Sequence, residues 1–206
     1  MSNRSTFIDR RGAIAAAVGL MLAPRQAAAA TAERAGAVER VVGEASATAG
    51  PVQRPLGLND PIMVDDLIRT SAGAQLDLRL GLRTVLKLAD ATEIKIDRYL
   101  LDAGGEISLL GGAVLFERTG KRAGEDLQFR SVYGLIAVRG TRFYAGLHRD
   151  RFAVLVGHGR VEVTAGGRSV SVGPQQGVDI PSPGAAPTTP ANWGLARIRD
   201  FQARFK

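Results

Sequence analysis

A chain of 206 residues and 21.7 kDa can bury a core in one large domain or two small ones. Its 45% apolar and 23% charged residues are those of a globular protein, and 25 glycines against 5% aromatics favour short elements and turns over a ring-packed bundle. The lack of cysteine excludes disulfides, thiolate metal sites and a thiol nucleophile, and two histidines, His148 and His158, leave no multi-histidine metal site.

The N-terminus holds much of the net charge of +7. Met1 to Arg11 is polar and carries Arg4, Arg10 and Arg11; Gly12 to Ala23 is an apolar run; Pro24, Arg25 and an alanine-rich stretch follow. A basic start, a short apolar middle and small residues at the end are the three parts of an export signal, predicted over residues 1–30. The run is shorter than the roughly 20 residues needed to span a bilayer, so no integral membrane span is expected in the mature chain. Arg10-Arg11, with Ile14 near the apolar position, resembles the twin-arginine export signature, the general secretory route being the alternative. Beyond residue 30 there are 23 basic and 19 acidic residues, a net +4, too diffuse to track nucleic acid.

From Gly36 to Ile180 the apolar residues alternate. Gln75–Leu80, Glu93–Asp97, Glu106–Leu109, Asp126–Arg130 and Arg160–Thr164 each put apolar side chains on one face, the pattern of a half-buried strand. Arg151–Val156 is more continuously apolar and reads as a central strand. Gly104-Gly105, Gly111-Gly112, Gly120, Gly157-His158-Gly159 and Gly166-Gly167 separate these runs as turns, and Val161–Val172 reads as a hairpin. Strands every 8–12 residues predict an all-β domain over residues 36–180, a sandwich or a short β-solenoid.

Residues 181–190, with Pro181, Pro183 and Pro187, read as a proline-rich linker. Thr189-Pro190 offers a cap and a first-turn proline for an amphipathic helix over 191–206. Leu195, Ile198, Phe201 and Phe205 form its apolar face, which packs on the β domain or serves as a docking or membrane-surface face.

The search for chemistry returns negatives. Thr119-Gly120-Lys121-Arg122 lacks the first glycine and the hydroxyl of a phosphate loop, and no Gly-x-Ser-x-Gly elbow exists. His148 and His158 read as exposed turn residues. The carboxylate pairs Asp65-Asp66 and Glu125-Asp126 read as solvated loops, without calcium-loop spacing. No catalytic, metal or cofactor-binding residue is assigned.

The run Ser131–Ala145 is more specific: an apolar strand, then Arg139-Gly140-Thr141, then Phe143 in an aromatic strand. Gly140 permits a bulge, and Arg139, if buried, needs a charged or carbonyl partner. The run resembles the FecR domain family, whose hallmark is an apolar strand, Arg-Gly-Thr and a phenylalanine. Gly36–Glu44 resembles that family's opening strand. Asp66 to Thr70 resembles its Gly-Asp-x-x-x-Thr turn, with Asp65 in the glycine's place, and Val154–Val163 its closing hairpin. Arg139, Gly140, Thr141 and Phe143 then read as a structural motif.

The resemblance implies an extracytoplasmic β domain similar to the sensor part of iron-uptake regulators. Those carry a cytoplasmic segment and a membrane helix, whereas only eleven residues precede the apolar run here. The expected function is therefore an exported, non-catalytic binding or scaffold module of the bacterial envelope, periplasmic or secreted, whose partner is another envelope protein and not nucleic acid. The alternative is a carbohydrate-active envelope enzyme using loop carboxylates. The mature chain is predicted to begin near Thr31 or Glu33. N-terminal sequencing of envelope fractions checks this, and intact Met1 in the membrane pellet would refute it.

Overall fold

The computed structural model describes residues 33–100, 104–119 and 126–206. The predicted export signal lies outside these residues. The chain is all-β with a C-terminal helix. The strands of the described residues follow one another along the chain: β1 (Arg34–Val42), β2 (Ala45–Ala49), β3 (Val52–Pro55), β4 (Pro61–Met63), β5 (Leu67–Thr70), β6 (Gln75–Leu80), β7 (Thr84–Leu88) and β8 (Glu93–Leu100) come first. Then follow β9 (Gly104–Gly111), β10 (Ala113–Arg118), β11 (Asp126–Ser131), β12 (Gly134–His148), β13 (Arg151–Ala165), β14 (Arg168–Val172), β15 (Gln176–Ile180) and β16 (Ala191–Asn192).

These strands form one hydrogen-bonded sheet folded over its own core. One layer runs β3-β2-β5-β8-β9-β11 into the first half of β12, the second half of β13 and β14. The other runs β4-β1-β6-β7-β10 into the second half of β12, the first half of β13, β15 and β16. All pairs are antiparallel except β9 with β11, so the architecture is a sandwich and not a stack of parallel coils. Inward side chains of both layers share one cluster, with Ile94, Ile107, Phe129 and Val163 on one side and Leu78, Leu86, Phe116 and Val154 on the other.

Alternation explains these strands, because every second side chain reaches the core. In β7 the burial pattern alternates strictly, with Thr84, Leu86 and Leu88 inside. The glycines divide into two kinds. Gly112, at φ 76°, turns the chain from β9 in one layer to β10 in the other, where an added Cβ would overlap Thr92. Gly157 and Gly159, expected in a turn, instead lie inside the continuous strand β13.

The C-terminal helix α1 (Leu195–Gln202) begins later than the Thr189-Pro190 cap predicts, because Ala191-Asn192 pair with Gln176-Gly177 first. Residues 181–190 lack regular structure but are tied down by Thr188, whose N–H donates to Asp179 and whose hydroxyl accepts the Asp179 N–H. Phe201 and Phe205 are buried against Ala89, Ala113, Leu115, Tyr144, Ala153 and Leu155, the outward face of the second layer. Trp193 packs over Gly177, where an added Cβ would overlap the indole. Gly177→Ala is therefore expected to displace Trp193, the single tryptophan, shifting its fluorescence to the red and costing about 1–3 kcal/mol by overpacking. Emission spectra and denaturant titration measure both.

Candidate functional site

The candidate residues fall in three places. The first is Arg139-Gly140-Thr141 with Phe143, at the middle of β12. In β12 the inward residues are Ile136 and Val138, then Thr141, Phe143 and Ala145. The parity changes between Val138 and Thr141, so Arg139 and Gly140 together occupy the step where one outward residue would normally stand. The register with β13 shifts there, between Arg139 and Arg142 and again to Phe143. β13 changes parity in step: Val154 and Val156 point inward, then Val161 and Val163. The motif is the point at which both long strands pass from one layer to the other. The Arg139 side chain and the surroundings of Gly140 lie outside the described residues; the backbone of both lies in β12.

Beyond the crossing, Phe143 meets Phe129 at a ring-centroid separation of 5.3 Å and Phe116 at 5.4 Å, while Phe116 and Phe129 lie edge to face at 5.3 Å. Phe129 belongs to one layer and Phe116 to the other, so the three rings join the layers at the crossing. Thr141 is buried, and its hydroxyl has no hydrogen-bond partner among the described residues. Phe143→Ala is expected to cost about 3–5 kcal/mol; urea denaturation of the variant checks it.

The second place is the Asp66–Thr70 turn. Asp66 is fully buried, accepts the Met63 N–H at 2.8 Å and is ion-paired with Arg54. The expectation of a solvated carboxylate is corrected: burial of Asp66 is compensated by a backbone donor and a guanidinium. Asp65 holds φ at 69°, in the left-handed region, at the position where the resemblance places glycine. Thr70 donates to the Ala89 carbonyl at 2.7 Å and accepts the Thr92 N–H at 2.9 Å. Thr92 in turn accepts the Ala113 N–H and donates to its carbonyl. Two buried threonines thus close the corner where the chain changes layers after β7 and after β9.

The third place is the C-terminal helix. Of the predicted face, Phe201 and Phe205 are buried and Ile198 is half-buried, but Leu195 is 70% exposed at the first turn. Arg197 lies over the Trp193 ring at 3.5 Å and pairs with Asp179. His148 ends β12 and is only 8% exposed, against the expectation of a turn residue in solvent. Its ring lies 4.9 Å from that of Phe201, and Nε2 is 3.6 Å from the Asp200 carboxylate without a hydrogen bond. Burial, with Arg149, Arg197 and Arg204 nearby, holds its pKa below the ordinary histidine value, the Asp200 charge opposing. His158 is exposed.

On the outer face of the first layer Lys95 bridges Asp65 and Asp97, and hydrogen bonds to both carboxylates raise its pKa above the ordinary lysine value. Arg130 pairs with Glu106 on the next strands. A groove of about 310 Å³ is lined by polar and apolar side chains together, among them Gln128, Arg160 and Glu162 with Leu127, Val138 and Val161. Leu110, Val132 and Leu147 stand exposed around Tyr133 and Phe152 at one end of the sandwich. Among the described residues no group of three His, Asp or Glu could hold a metal ion, and no helix is long and apolar enough to cross a membrane. The side chain of Asp126 and the whole of Glu125 lie outside the described residues.

Residues 66–162 match the family model described as FecR protein. The segment runs from the buried Asp66 through the crossing and into the second half of β13. No curated protein sequence matches the chain. A similar fold occurs in two crystal structures of a candidate anti-sigma factor from Parabacteroides distasonis ATCC 8503, at 17% and 18% identity and a TM-score of 0.55. Each match covers 64% of this chain and 62% of that one, so this chain spans less than two thirds of the other protein's length. At this identity the likeness is one of fold.

Proposed function

We propose, from the premise that residues 66–162 are a FecR domain, that this chain is an exported, non-catalytic binding module in a signalling route of the bacterial envelope. The observation that carries the reading is the family match. The fold shared with candidate anti-sigma factors supports a regulatory setting with a protein partner. The geometry is consistent with this: the motif residues Asp66, Thr70, Thr141 and Phe143 are all inside, so their work is to shape the sandwich. Partner recognition then belongs to its exposed faces. The basic start and short apolar run support a periplasmic or secreted location, as read from residues 1–30.

The test is affinity capture of the full-length tagged chain after cross-linking in its own cells, with partners identified by mass spectrometry. A recurring envelope protein that binds the purified chain saturably in calorimetry is the expected result. Hydrolysis of envelope glycans by the purified chain, with no saturable protein partner, would overturn the reading in favour of an enzyme.

A further inference from the structure

We propose that His148 is the catch of an acid-sensitive latch that holds the C-terminal helix over an apolar face of the sandwich. The helix covers Leu115, Tyr144 and Leu155, side chains that point away from the main core. It is too short to persist alone at eight residues, so its presence depends on what it rests upon. His148 is part of that seat: it projects from the end of β12 and its ring lies against Phe201, the buried anchor of the helix.

The surroundings of the imidazole suit its neutral form. From the hairpin beside it comes Arg149, from the helix Arg197 and Asp200, and from the 3-10 turn after the helix (Ala203–Phe205) Arg204. Asp200 is already engaged by Arg149 at 2.8 Å, Arg197 by Asp179, and Arg204 by Asp90 and the Leu147 carbonyl. A proton on His148 therefore enters a buried seat facing three guanidinium groups and a carboxylate already engaged by Arg149. Nε2 has no hydrogen-bond partner among the described residues, the Asp200 carboxylate standing 3.6 Å away.

The sign follows by linkage. The docked state holds the imidazole pKa below 6.5, and the undocked state returns it to the ordinary value of about 6.5. Docking is then fully favoured above pH 6.5 and weakens as the pH falls from there to the docked-state pKa. One proton limits the change in the docked-to-undocked ratio to about tenfold per pH unit. Acid thereby exposes the apolar face beneath the helix.

The test compares the full chain with His148→Gln between pH 7.5 and 5.0. Hydrogen exchange of the amides of residues 196–205 is measured in both at each pH, so that the intrinsic pH dependence of exchange cancels, alongside Trp193 fluorescence. The expected result is protection that falls with acidification in the native chain and stays level in the variant, which still contains His158. Equal falls in both, or no fall in the native chain, overturn the proposal. Should His148→Gln leave the helix undocked at every pH, Asp200→Asn decides. It keeps the histidine and removes the carboxylate that favours its protonated form, so the loss of protection on acidification must grow, and an unchanged or smaller loss overturns the proposal.

Discussion

Two strands of fifteen residues must serve both layers of one sandwich, and this requirement governs the rest of the molecule. A straight fifteen-residue strand would reach about 50 Å. Here Tyr133, just before β12, stacks at 5.0 Å on Phe152, whose backbone partner Leu147 lies near the end of that same strand. The strand therefore folds back over the core. Folding back while keeping apolar side chains inside requires a change of parity, and the paired strand must change with it or the ladder would break. Arg139-Gly140 on β12 and Gly157–Gly159 on β13 meet that requirement together. The phenylalanine cluster then fills the interior beside the bend, where the layers would otherwise leave a void.

Alternation made the strands legible in the sequence, since each run that reads apolar-polar is a strand in the sandwich. The sequence also marked the bend: Val138 and Phe143 are five residues apart, an odd spacing that a single pleated face cannot hold. The matching bend in β13 is harder to read, because Gly157-His158-Gly159 looks like a turn and glycine is punctuation far more often than a place where a strand bends. The buried Asp66 was not legible as such. A pair of adjacent aspartates gives no local sign that one faces Arg54 and the other solvent, as that depends on where β3 passes. His148 was misread for a similar reason. Its neighbours in sequence are those of a hairpin tip, while its cover comes from Phe201, more than fifty residues later.

The C-terminal segment shows how a marginal element is retained. Gly194 precedes the helix without a side-chain cap, and its first turn has no acidic residue to complement the dipole. Stability comes from outside the helix: two phenylalanines on the sheet, Arg197 between Trp193 and Asp179, and Arg204 on the Leu147 carbonyl. The same apolar stripe that made the helix recognisable also decides its register. Leu195, one turn ahead of Ile198, falls beyond the rim of the sheet and remains in water.

The boundaries of the family match and those of the folding unit do not coincide. A chain cut to residues 66–162 would lack β1 and β4, leaving β6 as a bare edge, and would lose β15 from the side of β13. Because β9 and β11 lie side by side in one layer while β10 between them belongs to the other, neither layer can be completed first. The contacts that close the structure are distant in sequence, a topology that favours slow folding. A partial version would therefore expose unpaired strand edges of the kind that template association between chains.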